Sequence, residues 1–173
     1  MKKYLLFYFI VCISIQVFAQ SSDVFEIARN GTVLQMQEFI GKHSESVNSI
    51  NPGGSSPLIL AAYYGNEGTA LLLSDKVKDI NYNSGRGTAL MAAVMNGNLT
   101  IIKKLISVNA DLNASDNEGK TALMYAVYFN KNEIAKVLID KGANKSLKDK
   151  EGKTALDVAR FNKNTTLSIL LDQ

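Results

Sequence analysis

The tripeptide Thr88-Ala89-Leu90 returns at Thr121-Ala122-Leu123 and at Thr154-Ala155-Leu156, 33 residues on each time. A fainter copy, Ser56-Pro57-Leu58, stands 32 residues before the first. This period constrains the fold more than any other feature, because a unit of that size cannot bury its own apolar face. The units must stack on one another. A stack offers a long surface in place of a single enclosed pocket.

In the Thr121 unit, Asp116-Asn117-Glu118-Gly119 is turn chemistry, with Gly119 suited to a positive φ. Thr121 follows as a natural helix N-cap. Leu123, Ala126 and Val127 fall on one helical face and are expected in the core. The spacing predicts that this helix stops near Asn130. A second helix is expected from about Asn132 to Lys141, with Ile134, Val137 and Leu138 on its apolar stripe and Gly142 at its end. Small Ala126 and Ala135 permit close helix approach.

The other units repeat this grammar. The expected core is Leu90, Ala93, Val94, Leu99, Ile102, Leu105 and Ile106 in the Thr88 unit, and Leu58, Ala61, Ala62, Leu71, Leu72 and Leu73 in the Ser56 unit. In the last unit it is Leu156, Val158, Ala159, Leu167, Ile169 and Leu170. An earlier pair without its own turn reads Val24, Ile27 and Ala28, then Gly31, then Val33, Met36, Phe39 and Ile40. The expected architecture is all-α, with five helix pairs in units at about residues 23–50, 51–82, 83–115, 116–148 and 149–173.

Residues 1–19 read as an export signal outside that fold. Lys2 and Lys3 begin it, an apolar run follows from Tyr4 to Phe18, and Val17-Phe18-Ala19 sets small residues where a signal peptidase cuts. Cleavage after Ala19 leaves a repeat domain over residues 20–173 with no further membrane-spanning candidate. The single cysteine, Cys12, leaves with the signal, so packing and not disulfides must hold the domain. The signal also carries two of the 19 basic residues, leaving 17 against 16 acidic ones. Near-neutral charge without a basic block argues against a nucleic-acid partner. The expected location is periplasmic or secreted, and the signal resembles bacterial ones.

Catalytic chemistry is hard to assemble from these residues. The one histidine, His43, lies in a polar connecting segment without a partner at catalytic spacing. No zinc site of ordinary type can form from one histidine and no cysteine. Gly53-Gly54-Ser55-Ser56 lacks a phosphate-loop lysine and reads as a turn. Asp116 and Glu118, on their turn, are expected to be solvated. No catalytic residue, metal site or cofactor is expected. Asn-x-Ser/Thr sequons occur at Asn30, Asn98, Asn113, Asn144 and Asn164, and an asparagine-rich composition accounts for them without sugar.

Several motif copies in register give the chain its resemblance. Asp116-Asn117-Glu118-Gly119-Lys120-Thr121-Ala122-Leu123 and Asp149-Lys150-Glu151-Gly152-Lys153-Thr154-Ala155-Leu156 match the turn and first helix of ankyrin repeats. Asn96-Gly97 and Asn30-Gly31 match the mid-unit, and Gly142-Ala143-Asn144 matches the exit. The chain thus resembles an ankyrin-repeat protein from about Asp23 to Asp172. It departs from the pattern in three ways. The motif histidine is replaced by Ile59, Met91, Met124 and Asp157, which puts its turn-to-turn hydrogen bonds in question. Arg86 stands at the turn glycine between Gly85 and Gly87, which implies a differently shaped turn. The Ser56 and Thr88 units are joined by one residue fewer.

The resemblance implies a non-catalytic, monomeric scaffold that binds another protein through a concave face. A toxin-neutralising immunity protein, or an accessory to a periplasmic enzyme, is the narrower alternative. A small-ligand binder or enzyme is the competing class. The candidate binding residues are Tyr63, Tyr64, Arg86, Met95, Asn96, Tyr128, Phe129 and Phe161. Asn117, Glu118, Lys120, Lys150, Glu151 and Lys153 would form a polar rim. Two placements of the aromatic residues are open at this point: exposed on the groove, or packed between repeats, with Phe161 sealing the C-terminal cap.

Overall fold

The computed structural model describes residues 23–173, so the expected signal lies outside the described residues. Among the described residues ten α-helices follow in antiparallel pairs, with no strand. The inner helices are α1 (Val24–Asn30), α3 (Pro57–Tyr64), α5 (Ala89–Asn96), α7 (Ala122–Tyr128) and α9 (Ala155–Phe161). The outer helices are α2 (Val33–Lys42), α4 (Glu67–Ser74), α6 (Leu99–Ser107), α8 (Asn132–Asp140) and α10 (Thr165–Asp172). Helix pairs stack side by side into an all-helical solenoid, with inner helices packed against one another more closely than outer ones. That asymmetry curves the stack and leaves a concave face on the inner side.

Side chains start these helices. Thr32, Ser56, Thr88, Thr121 and Thr154 each accept from the N–H three residues on, as do Asn66, Asn98 and Asn164. Each satisfies a donor that the helix itself leaves orphaned. The exception is α8, where Lys131 stands at the cap and supplies no such bond. Asn130 adopts a left-handed φ of 54° at the end of α7, as its place predicts.

The core is a continuous stripe through the stack. Leu58, Leu90 and Leu123 from inner helices meet Leu73, Ile102, Leu105, Leu138 and Leu167 from outer ones, all nearly without solvent contact. Ala28, Ala61, Ala93, Ala126 and Ala159 are wholly buried, and their small size brings the inner helices together. Several expected core positions are less buried than their spacing predicts. Ile169 and Val33 are exposed, because each lies on an end unit that is covered from one side only. Leu71 and Leu72 are half-buried, and Ala70 and Leu73 hold the inward stripe of α4 instead.

The missing residue between the second and third units has a clear place. After α6 and α8 the chain passes through a left-handed residue, Asn109 or Gly142, and the next N–H reaches back five residues, Ala110 to Leu105 and Ala143 to Leu138. After α4 there is no left-handed residue, and the Val77 N–H reaches back four residues, to Leu73. The deletion removes one C-terminal capping residue and leaves the stacking intact. The segment after α2, expected as a plain loop, winds into a 3-10 turn at Ser44–Asn48 with Val47 buried.

Candidate functional site

Four turns project from the unit junctions as fingers over the concave face: residues 51–55, 83–87, 116–120 and 149–153. Their order comes from short side chains bonding to nearby amides. Asp149 Oδ1 accepts from the N–H groups of Glu151 at 3.0 Å and Lys153 at 2.9 Å. Asp116 Oδ1 does the same for Glu118 at 2.8 Å and Lys120 at 2.9 Å. Its second oxygen receives the Tyr125 hydroxyl at 2.5 Å. Asp116 is therefore buried, against the expectation of a solvated carboxylate. The ring of Tyr125, on α7, closes over it. Burial, then the hydrogen bond to Asp116, then the negative charges of Asp116 and Glu118 push the Tyr125 phenol well above its ordinary pKa of 10.0.

Adjacent fingers are tied without the motif histidine. The Asn117 N–H donates to the Gly85 carbonyl at 2.8 Å, and the Lys150 N–H to the Glu118 carbonyl at 2.9 Å. Gly119 is required beside this second tie, since a Cβ there would sit 3.0 Å from the backbone of Asp149 and Lys150. The gap between the first two fingers is bridged differently. There the Arg86 guanidinium donates to the Gly53 carbonyl at 2.5 Å and the Tyr82 hydroxyl to the Gly54 carbonyl at 3.0 Å. The Arg86 turn is indeed reshaped, with positive φ at Gly85 (81°) and Gly87 (121°) on either side of it.

Beneath the first three fingers the concave face forms a cavity of about 760 Å³. Ile59, Leu60, Tyr63, Tyr64, Ala92, Met95 and Tyr125 line it, together with the charged and polar Arg29, Arg86, Asn117 and Glu118. Four of the eight candidate residues, Tyr63, Tyr64, Arg86 and Met95, thus converge on one site. Arg29 and Tyr125 join it unforeseen. The sequence signal for Tyr125 was its place four residues before Phe129, on the same helical face.

The aromatic stripe lies on the surface and is not packed between repeats. Tyr63 is 52 % exposed, Tyr64 53 %, Tyr128 61 %, Phe129 45 % and Phe161 87 %. Phe161 therefore does not seal the cap. Tyr63 and Tyr64 meet edge to face at 5.4 Å, as do Tyr128 and Phe129 at 5.2 Å, and Phe129 stacks along Tyr125 at 6.3 Å. Tyr128, Phe129 and Phe161 continue the stripe outside the cavity. Asn96 serves the scaffold: its amide donates to the Tyr63 carbonyl at 3.1 Å, tying the ends of α3 and α5.

Among the described residues, five ion pairs form, and the finger cations Arg86, Lys120, Lys150 and Lys153 join none of them. Also among the described residues, no three His, Cys, Asp or Glu side chains cluster as metal ligands. No described helix is long and apolar enough to cross a membrane.

Over 101 residues, 57 % of this chain, the sequence is 35 % identical to the ankyrin repeat and SAM domain-containing protein 6 of Rattus norvegicus. It is 40 % identical over 101 residues to the Mus musculus protein of the same name. It is also 29 % identical over 100 residues to the inactive serine/threonine-protein kinase TEX14 of Mus musculus. The aligned part spans 11 % of the length of each of the first two relatives and 7 % of the third. A family model for ankyrin repeats in three copies matches residues 24–116 and 90–173, which together cover the helical stack. The chain belongs to the ankyrin-repeat family.

Proposed function

We propose that this chain is an exported, non-catalytic scaffold that binds another protein through its concave face. One observation carries the reading: rings that could have been packed between repeats instead stand in solvent along the inner helices, around a cavity framed by fingers. Exposed tyrosines offer apolar area together with a hydroxyl, at small entropic cost, and they recur as interface anchors. The family is typically non-catalytic and mediates protein–protein interaction, which agrees with this use of the surface. Tyr63 and Tyr64 at one end, and Tyr128 and Phe129 further along, are the anchors, with Met95 between them and Arg86 and the charged fingers setting orientation. Phe161 extends the stripe to the last unit. Export rests on the sequence of residues 1–19.

The test compares three full-length baits in capture from the exported fraction: the natural chain, Tyr63→Ala with Tyr64→Ala, and Lys136→Glu on the outer helix α8. A protein retained by the first and third baits but lost from the second supports the reading. Equal capture by all three contradicts it. Amino-terminal sequencing of the exported protein should begin at Gln20, and a retained Met1 would contradict export.

A further inference from the structure

We infer that the cavity under the first three fingers takes, beside Arg86, an extended segment of a partner protein in which a side-chain carboxylate lies next to an aromatic or aliphatic residue. The inference rests on the concave-face reading and specifies the chemistry of what enters.

Charge and hydrogen-bond capacity point the same way. A guanidinium carries five N–H donors in a planar fork that suits a carboxylate. Arg86 spends one nitrogen on the Gly53 carbonyl, and no described carboxylate pairs with it. A neutral carbonyl is the weaker acceptor, since hydrogen bonds to an ionised oxygen are roughly twice as strong. A partner's carboxylate can therefore recruit the unspent donors or displace the carbonyl. Arg29, which lines the same cavity, adds a second cation, held 3.3 Å from Glu26.

The acidic groups of the cavity do not cancel this. Asp116 is occupied by three donors, and Glu118 stands on the third finger, whereas Arg86 reaches from the second toward the first. Tyr63, Tyr64 and Met95, which line the same cavity, offer the apolar contact. The volume of about 760 Å³ lies within the range of roughly 300–1,000 Å³ typical of ligand pockets, so a short segment enters and not a domain face.

The experiment selects random 12-residue peptides, displayed on phage, against the full mature chain. The enriched sequences are then remade with a fluorescent label for anisotropy titration. Enriched peptides should carry Asp or Glu within two positions of an aromatic or aliphatic residue. Arg86→Glu should weaken binding by at least about tenfold, Arg86→Gln by less, and Lys136→Glu not at all. Tyr63→Ala should also weaken it, with unchanged far-UV circular dichroism for every variant. Neutral or basic consensus sequences, an empty selection, or binding that Arg86→Glu leaves unchanged would overturn the inference. If Tyr63→Ala abolishes binding that Arg86→Glu spares, the groove reading stands and only the carboxylate fails. If neither matters, the groove reading fails as well.

Discussion

The first gap between fingers and the last two are built from different materials. Backbone N–H groups of Asn117 and Lys150 stitch the second finger to the third and the third to the fourth. Side chains alone, those of Arg86 and Tyr82, bridge the first finger to the second. The cavity reaches from the side-chain-bridged first gap to the third finger, and beyond it Tyr128, Phe129 and Phe161 stand on an open surface. A backbone tie holds regardless of what approaches, whereas an arginine on a carbonyl can be drawn to a better acceptor. The same helical grammar thus carries fixed backbone ties between its later fingers and an exchangeable side-chain tie between its first two.

The largest expected effect breaks that contrast at its rigid side. Asp116→Ala should cost about 2 kcal/mol in urea unfolding, because two amides and the Tyr125 hydroxyl lose a charged partner together. The matching change in the first finger, Asn51→Ala, removes only the bond to the Ser55 N–H and should cost about 1 kcal/mol or less. Equal losses would show that the two ends are equally stiff.

Much of this was legible in the sequence. The 33-residue period, the threonine caps and the apolar stripes fix the helix pairs, because each is a local signal repeated in register. The exposure of the aromatic stripe was not, since spacing alone cannot tell a ring that faces solvent from one between units. Nor was the burial of Asp116, which depends on a tyrosine nine residues later folding over it. The Arg86 bridge joins residues 33 apart and becomes visible only once the units stack.

Two gains test the helical grammar itself. Thr69 occupies on α4 the place held by Ile101, Ile134 and Leu167 on the other outer helices, and its wholly buried hydroxyl has no hydrogen-bond partner. Thr69→Val should stabilise the fold by about 1 kcal/mol, read as a higher urea midpoint at unchanged slope. Lys131→Asn should add about 0.5–1 kcal/mol by giving α8 the cap its siblings have, less the loss of the weak 3.5 Å bond from Lys131 to the Asn96 carbonyl. A loss of stability in either variant would mean that the repeat register is misread.

The smallest effect is spectroscopic. The folded state favours the protonated Tyr125 phenol, so the unfolded chain releases that proton first as pH rises. The stability this contributes is complete below pH 10.0, the ordinary tyrosine value, and is lost as pH climbs through the raised folded value. Phenolate absorbance of the folded protein should show one late-ionising tyrosine, and Tyr125→Phe should remove it. If all tyrosines ionise together, the Asp116–Tyr125 pair is open to water.

Hydrogen–deuterium exchange of the full chain, with and without a saturating groove-selected peptide, tests the exchangeable tie between the first two fingers most directly. Protection should gather in residues 51–55 and 83–87 and along α3 and α5, with the outer helices and the fourth finger unchanged. Protection confined to α4, α6 or α8, or spread evenly over every unit, would contradict the account.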